Sequence, residues 1–190
     1  HYQGGFIWDF VDQSLRKTGK NGAMIYGYGG DWNPYDASDW NFCDNGLISP
    51  DRVPNPHMHE ARYWQQPVWT TLGEDRRTLT VFNENFFRPL DNCYLRWTVL
   101  RDGDPVRSGI VADLRVAPQQ TAAVVLPLAP ETLPADGELL LNVEYRLCDA
   151  EPLLAPDHRV AYQQFTLRAA APEPLAVAER MADRHNPIGT

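Results

Sequence analysis

The chain has 190 residues, 43% of them apolar, which suits one large domain or one domain with a piece of another and argues against disorder. Lys and Arg number 17 against 25 Asp and Glu, a formal net charge of −8 that repels phosphate backbones and, with no basic cluster among aromatics, sets nucleic acid aside as a partner. No run approaches the ~18–20 apolar residues that span a bilayer, which points away from membrane insertion and leaves the compartment undetermined.

The first element is expected at Gly4-Gly5-Phe6-Ile7-Trp8-Asp9-Phe10-Val11-Asp12-Gln13, read as a buried strand ending in an exposed aromatic and acids. No initiator Met precedes it, and an apolar strand makes a poor free terminus, so the sequence is expected to be cut from something larger. One structural role open to Asp12 is to cap a helix starting near Gln13 to Leu15. Turn formers then dominate: Lys20-Asn21-Gly22, Tyr28-Gly29-Gly30-Asp31, Asn33-Pro34 and Asp44-Asn45-Gly46. After Pro54-Asn55-Pro56, a short helix is predicted over 58–64 with proline just before it, and Pro67 ends it. Such a loop-rich stretch, expected as a first domain over 1–64, is typical of functional surface.

From Gln66 the period becomes two. Strands are predicted at 66–72, 77–83, 94–101, 105–112, 119–126, 138–148 and 159–167, with an Asp102-Gly103 hairpin between the third and fourth. Seven strands over 65–170 predict an immunoglobulin- or fibronectin-like β-sandwich, without the antibody Cys pair. Alternation places Trp97 in the core set. Residues 171–190 open on Ala171-Pro172-Glu173-Pro174 and read as a linker or tail toward a further domain.

Several residues could carry chemistry. The flat ring of Trp8 matches the C–H face of a pyranose, yet on the residues alone core filler between Phe6 and Phe10 suits it better. Asp9 and Asp12 are carboxylates for acid–base work, but structural roles suit both better, since glycoside hydrolysis needs a pair held ~5–5.5 Å or ~6.5–9.5 Å apart. Asn41-Phe42-Cys43-Asp44-Asn45-Gly46 could offer a backbone carbonyl and an amide oxygen to a hard cation, or be an ordinary turn. The five histidines show no ligand spacing beyond His57-x-His59, read as a surface or capping feature. Ser14 and Ser49 lack a nucleophile elbow, and Cys43, Cys93 and Cys148 are read as buried free thiols.

Taken in order, the run at 4–13, then Tyr28-Gly29-Gly30-Asp31, Asn41-Phe42-Cys43-Asp44-Asn45-Gly46-Leu47, Pro50-Asp51-Arg52 and Pro54-Asn55-Pro56, closely resemble the family 2 glycoside hydrolases of the lacZ type. The resemblance covers residues 1 to about 66; beyond it the sandwich resembles the domain after the barrel in those enzymes, including Tyr162-Gln163-Gln164-Phe165. It implies that 1–64 are the last strand, loops and final helix of a TIM barrel. Trp8 then matches the tryptophan platform under the galactosyl ring. Phe42, through its carbonyl, and Asn45, through its side chain, match sodium ligands, with Asn45 also close to the sugar. The resemblance places the glutamate nucleophile, the glutamate acid/base, the magnesium site and a third sodium ligand upstream of this chain. Phe10 stands where a second tryptophan is commoner.

The expected function is therefore part of a retaining β-galactosidase: one wall of the sugar site and an accessory sandwich, inactive alone. Expected partners are a galactoside and other domains of the same enzyme, with self-association open because an orphan apolar strand exposes an edge. The alternatives are a sandwich module that binds a glycan or partner, and a structural spacer. Sugar preference of the whole enzyme is left open.

Overall fold

The computed structural model describes residues 3–33, 35 and 43–171, and the chain divides into two compact units between Pro67 and Val68. In the first unit, the buried strand expected at 4–13 does not form. Phe6, Ile7, Trp8 and Phe10 are 102%, 51%, 66% and 56% exposed, and only Val11 makes a bridge, parallel to Ile48. A buried parallel strand needs neighbours on both edges and cover on both faces. Among the described residues, this one is paired along its backbone only with Leu47 and Ile48.

Nor does a helix begin at Gln13. Leu15–Thr18 is β1, antiparallel to β2 at Met24–Gly27, with Leu15 opposite Gly27 and Thr18 opposite Met24. Asn-Gly turn chemistry prevails over the capping reading of Asp12. Gly22 adopts φ +80°, the Gly19 N–H donates to the Ala23 carbonyl at 2.7 Å, and Asn21 Oδ1 accepts the Ala23 N–H at 3.1 Å. The helix α1 spans Pro56–Trp64, two residues longer at its start than predicted, with its proline in the first turn. Proline is pre-shaped for that position and lacks only an N–H that would have no helical partner.

The second unit holds the seven predicted strands: β3 (Val68–Leu72), β4 (Thr78–Asn83), β5 (Cys93–Arg101), β6 (Asp104–Val111), β7 (Thr121–Val125), β8 (Leu139–Leu147) and β9 (Arg159–Arg168). They form two antiparallel sheets, ordered β3-β4-β7 and β6-β5-β8-β9. Strict alternation decides which face is inward: in β8, Leu139, Leu141, Val143, Tyr145 and Leu147 are all buried while the residues between them are half-buried. These pack with Val68, Leu79 and Val81 of the smaller sheet and with Leu95, Trp97 and Val99 of β5 into one core. The two sheets thus form the expected immunoglobulin/fibronectin-like sandwich. Asp102 and Gly103, at φ 49° and 94°, make the two-residue turn between β5 and β6, both central residues left-handed as the strand twist favours.

Several polar groups inside the sandwich are paired, while the buried Trp97 Nε1 has no hydrogen-bond partner among the described residues. Thr70 Oγ1 and the Tyr145 hydroxyl lie 2.6 Å apart across the sheets, and burial pushes the Tyr145 phenol far above its ordinary range. Asn83, fully buried, donates through Nδ2 to the carbonyls of Arg88 (2.8 Å) and Val116 (3.0 Å) and accepts the Asn85 N–H at 3.0 Å. On the outer face of β8, Glu144 receives Arg96, Arg146 and Arg159. The cysteines depart from expectation: all are free thiols, but only Cys93 is buried, while Cys43 is half-buried and Cys148 is exposed. Cys148 follows β8, beyond the alternation that buries Leu147.

Candidate functional site

In the first unit, the opening run meets the loop at 44–48. The Leu47 N–H donates to the Asp9 carbonyl at 3.0 Å, the Ile48 N–H to the Phe10 carbonyl at 3.0 Å, and the Asp12 N–H to the Ile48 carbonyl at 2.9 Å. Trp8 lies one residue before the first of these and Asn45 two residues before Leu47. Because the pairing is parallel, both sit at the same end of this short ladder. Trp8 is 66% exposed, and the Trp8–Asp9 peptide bond is cis.

Asn45 is half-buried, and its Oδ1 is shielded from solvent with no hydrogen-bond partner among the described residues. A buried amide oxygen without a donor costs roughly 1–3 kcal/mol. It offers a hard cation, or a sugar hydroxyl, a lone pair that the protein itself leaves unused. This oxygen fits the sodium role implied for Asn45. Phe42, the other implied ligand, lies outside the described residues. Among the described residues, no cluster of three or more His, Cys, Asp and Glu side chains could hold a metal ion.

The carboxylates of the run serve other groups. Asp12 Oδ1 accepts the Gly46 N–H at 2.7 Å, so Asp12 anchors a loop and caps no helix. Asp9 Oδ2 accepts the Gln13 side-chain amide at 2.8 Å, while Asp9 Oδ1 is buried without a partner. Asp51 is shared between Arg16 Nε at 2.7 Å and the Tyr26 hydroxyl, and their hydrogen bonds hold its carboxyl below the usual carboxylate range. Ser14 is a buried donor to Asp44 Oδ1. Ser49 Oγ accepts the Val53 N–H at 3.1 Å and shapes the turn at 49–53.

Sequence reasoning missed the functions of Asn55 and His57. Asn55 occupies the position before α1, yet its side chain does not cap that helix; Nδ2 donates instead to the Gly46 carbonyl at 3.0 Å. His57 Nε2 meets the same carbonyl at 2.8 Å, which requires its proton on that nitrogen. Pro54 and Pro56 flanking Asn55 were the available signal: two rigid neighbours fix where an amide points.

On the sandwich, Trp97 is 2% exposed and offers no stacking face, and Trp69 donates Nε1 to Glu84 at 2.8 Å. The outer face of β8 and β9 instead carries a shallow polar hollow of about 260 Å³ that includes Asn142, Glu144, Arg159, Tyr162 and Gln164. The Arg159 guanidinium lies over the Tyr162 ring at 4.2 Å, covering the face a sugar would stack on.

A short parallel pairing in the first unit is followed in sequence by an antiparallel sandwich in the second. Two family models agree with that division. "Glycosyl hydrolases family 2, TIM barrel domain" matches residues 1–70, and "Beta-galactosidase, domain 4" matches residues 79–168. The chain is 39% identical over 189 residues to Beta-galactosidase 2 of Enterobacter cloacae, covering 99% of this chain and 18% of the relative. It is 39% identical over 169 residues to the Beta-galactosidase of Photobacterium profundum, 87% of this chain and 16% of the relative. With the Beta-galactosidase of Alteromonas mediterranea it shares 44% identity over 150 residues, 77% of this chain and 14% of the relative. The chain belongs to the family 2 glycoside hydrolases, in their lacZ-type branch. It spans less than a fifth of the length of these relatives, 18% of the first.

Proposed function

We propose that this chain is part of a retaining β-galactosidase and contributes one wall of its sugar site together with an accessory sandwich. The observation that carries this reading is the parallel pairing of the opening run with Leu47 and Ile48, which leaves exposed Trp8 and the unpartnered Asn45 oxygen at one end of one ladder. Trp8 would be the surface on which the galactosyl ring rests, and Asn45 would bind the sugar and, with the Phe42 carbonyl, a sodium ion. A bound sodium would supply a fixed positive charge for a sugar hydroxyl; the residues themselves orient the ring and exclude water from its apolar face.

The chain alone would be inactive. Retention requires two carboxyl groups ~5–5.5 Å apart, one nucleophile and one acid/base. Of the acids near the ladder, Asp12 is committed to Gly46, Asp44 to Ser14 and Asp51 to Arg16 and Tyr26, while Asp9 holds Gln13 through one carboxylate oxygen only. The family resemblance puts both glutamates, and the magnesium near the acid, upstream.

A titration of the indole-labelled chain with methyl β-galactoside in sodium chloride, followed by the tryptophan N–H resonances, tests the site assignment. The Trp8 resonance is expected to move while that of Trp97 stays fixed. Movement at Trp69 with Trp8 unmoved would transfer ligand binding to the sandwich and contradict the proposal.

A further inference from the structure

We infer that Asp12, Asn55 and His57 form a clamp on Gly46 that positions the Asn45 side chain, so that its buried oxygen is held in place before any ligand arrives. The inference deepens the reading of Asn45 given above and rests on it for its use, though the clamp itself is a matter of geometry. The Gly46 N–H, which belongs to the peptide joining Asn45 to Gly46, is held by Asp12 Oδ1 at 2.7 Å. The Gly46 carbonyl accepts both Asn55 Nδ2 at 3.0 Å and His57 Nε2 at 2.8 Å, so both of its lone pairs are occupied.

Only glycine allows this approach. A Cβ at Gly46 would stand 2.3 Å from the Asp12 nitrogen and 2.6 Å from the Val11 carbonyl carbon, backbone atoms that have no rotamer to change. On the other side of Asn45, Asp44 is in the left-handed region at φ 50° and is tied to the buried Ser14 hydroxyl. Both neighbours of Asn45 are thus pinned while its own Oδ1 is left unpartnered.

Two features separate a positioning device from ordinary loop packing. Asn55 gives up the cap of its own helix, usually about 1 kcal/mol, to reach Gly46. His57, from the first turn of the same helix, adds a second donor to a carbonyl that one hydrogen bond would already satisfy. An unsatisfied buried oxygen relaxes toward water or a donor unless its surroundings forbid it, and the clamp is what forbids it here. Pre-organisation of this kind lowers the ordering cost of binding.

The test uses the isotopically labelled 190-residue chain and its variants His57→Leu, His57→Leu/Asn55→Ala and His57→Gln. Three quantities are read: side-chain rotamer averaging at Asn45 from its Hα–Hβ couplings, amide hydrogen exchange at Gly46, and the shift of the Asn45 side-chain amide on adding sodium chloride. The wild type is expected to show a single Asn45 rotamer. The double variant is expected to average it and to speed Gly46 exchange at least tenfold, with the β1–β2 hairpin amides still protected; His57→Gln, which keeps a donor, restores order. Should the double variant unfold the hairpin, His57→Leu alone carries the comparison. An Asn45 side chain as ordered in His57→Leu as in the wild type, or already averaged in the wild type, overturns the clamp. Absence of a sodium shift in the wild type overturns the ligand reading of Asn45 alone, since the rotamer and exchange results do not depend on it.

Discussion

Gly109 faces Trp97 directly across the β5–β6 ladder, and a Cβ built on it would stand 2.7 Å from Cζ2 of the indole and 2.9 Å from Nε1. The largest side chain of the sandwich core therefore depends on the absence of a side chain opposite it. That arrangement keeps Trp97 at 2% exposure and removes it as a stacking surface for any glycan.

Gly109→Ala is expected to destabilise the sandwich by about 1–3 kcal/mol through overpacking. Trp97→Phe, which shortens the ring on that side, should partly relieve the alanine in the double variant. Denaturant midpoints of the four proteins check the coupling; strict additivity would mean the two side chains do not compete for the same space.

Asn83→Ala should cost about 2–3 kcal/mol, because the buried carbonyl of Val116, the carbonyl of Arg88 and the amide of Asn85 each lose a partner. The loss should appear as faster hydrogen exchange over 84–90 as well as a lower midpoint. Unchanged exchange there would show that the loop is held by the Arg88–Glu151 ion pair instead.

Thiol chemistry separates the cysteines. Burial pushes the Cys93 thiol up to about 11, so at pH 8 it is both inaccessible and protonated. Ellman's reagent should label exposed Cys148 in the folded chain and reach Cys93 only after denaturation. Rapid labelling of Cys93 under native conditions would contradict its placement beneath the sheet.

Acid stability follows from Glu144. Burial alone would raise its carboxyl, but hydrogen bonds from Arg146, Arg96 and Arg159 outweigh that and hold it below the usual range. A depressed carboxyl contributes stability that is present above the unfolded value, about 4.3, and lost as pH falls through the folded value. The unfolding midpoint of wild type should therefore drop on acidification below about pH 4.3, and Glu144→Gln should flatten that portion of the profile. A variant profile with the same slope would place the acid sensitivity elsewhere, for example at Asp51 or Asp157, which are also held low.

The sandwich was legible because each of its strands carries a signal within itself. Leu139 to Leu147 alternates without a fault, and Asp102-Gly103 states its own turn type. The first unit was harder because its decisive contacts are between segments distant in sequence. Asp12 was read against its neighbours as a helix cap, whereas its partner is Gly46, 34 residues away. Gly4 to Gln13 has the composition of a buried strand, but composition cannot say how many neighbours a strand will find. The β1–β2 hairpin was announced by Lys20-Asn21-Gly22 and obscured by Leu15-Arg16-Lys17-Thr18, which has no clean period. Trp8 and Asn45 were reached through resemblance; the geometry adds the unpartnered oxygen and the residues around it.

The central claim, that this chain carries one wall of a sugar site and not its chemistry, is tested most directly by assaying the purified 190-residue chain against nitrophenyl β-galactoside. No release of nitrophenol above the buffer rate is the predicted result. Turnover that disappears on Asp9→Asn or Asp12→Asn would place the catalytic carboxylates within the chain and contradict the account.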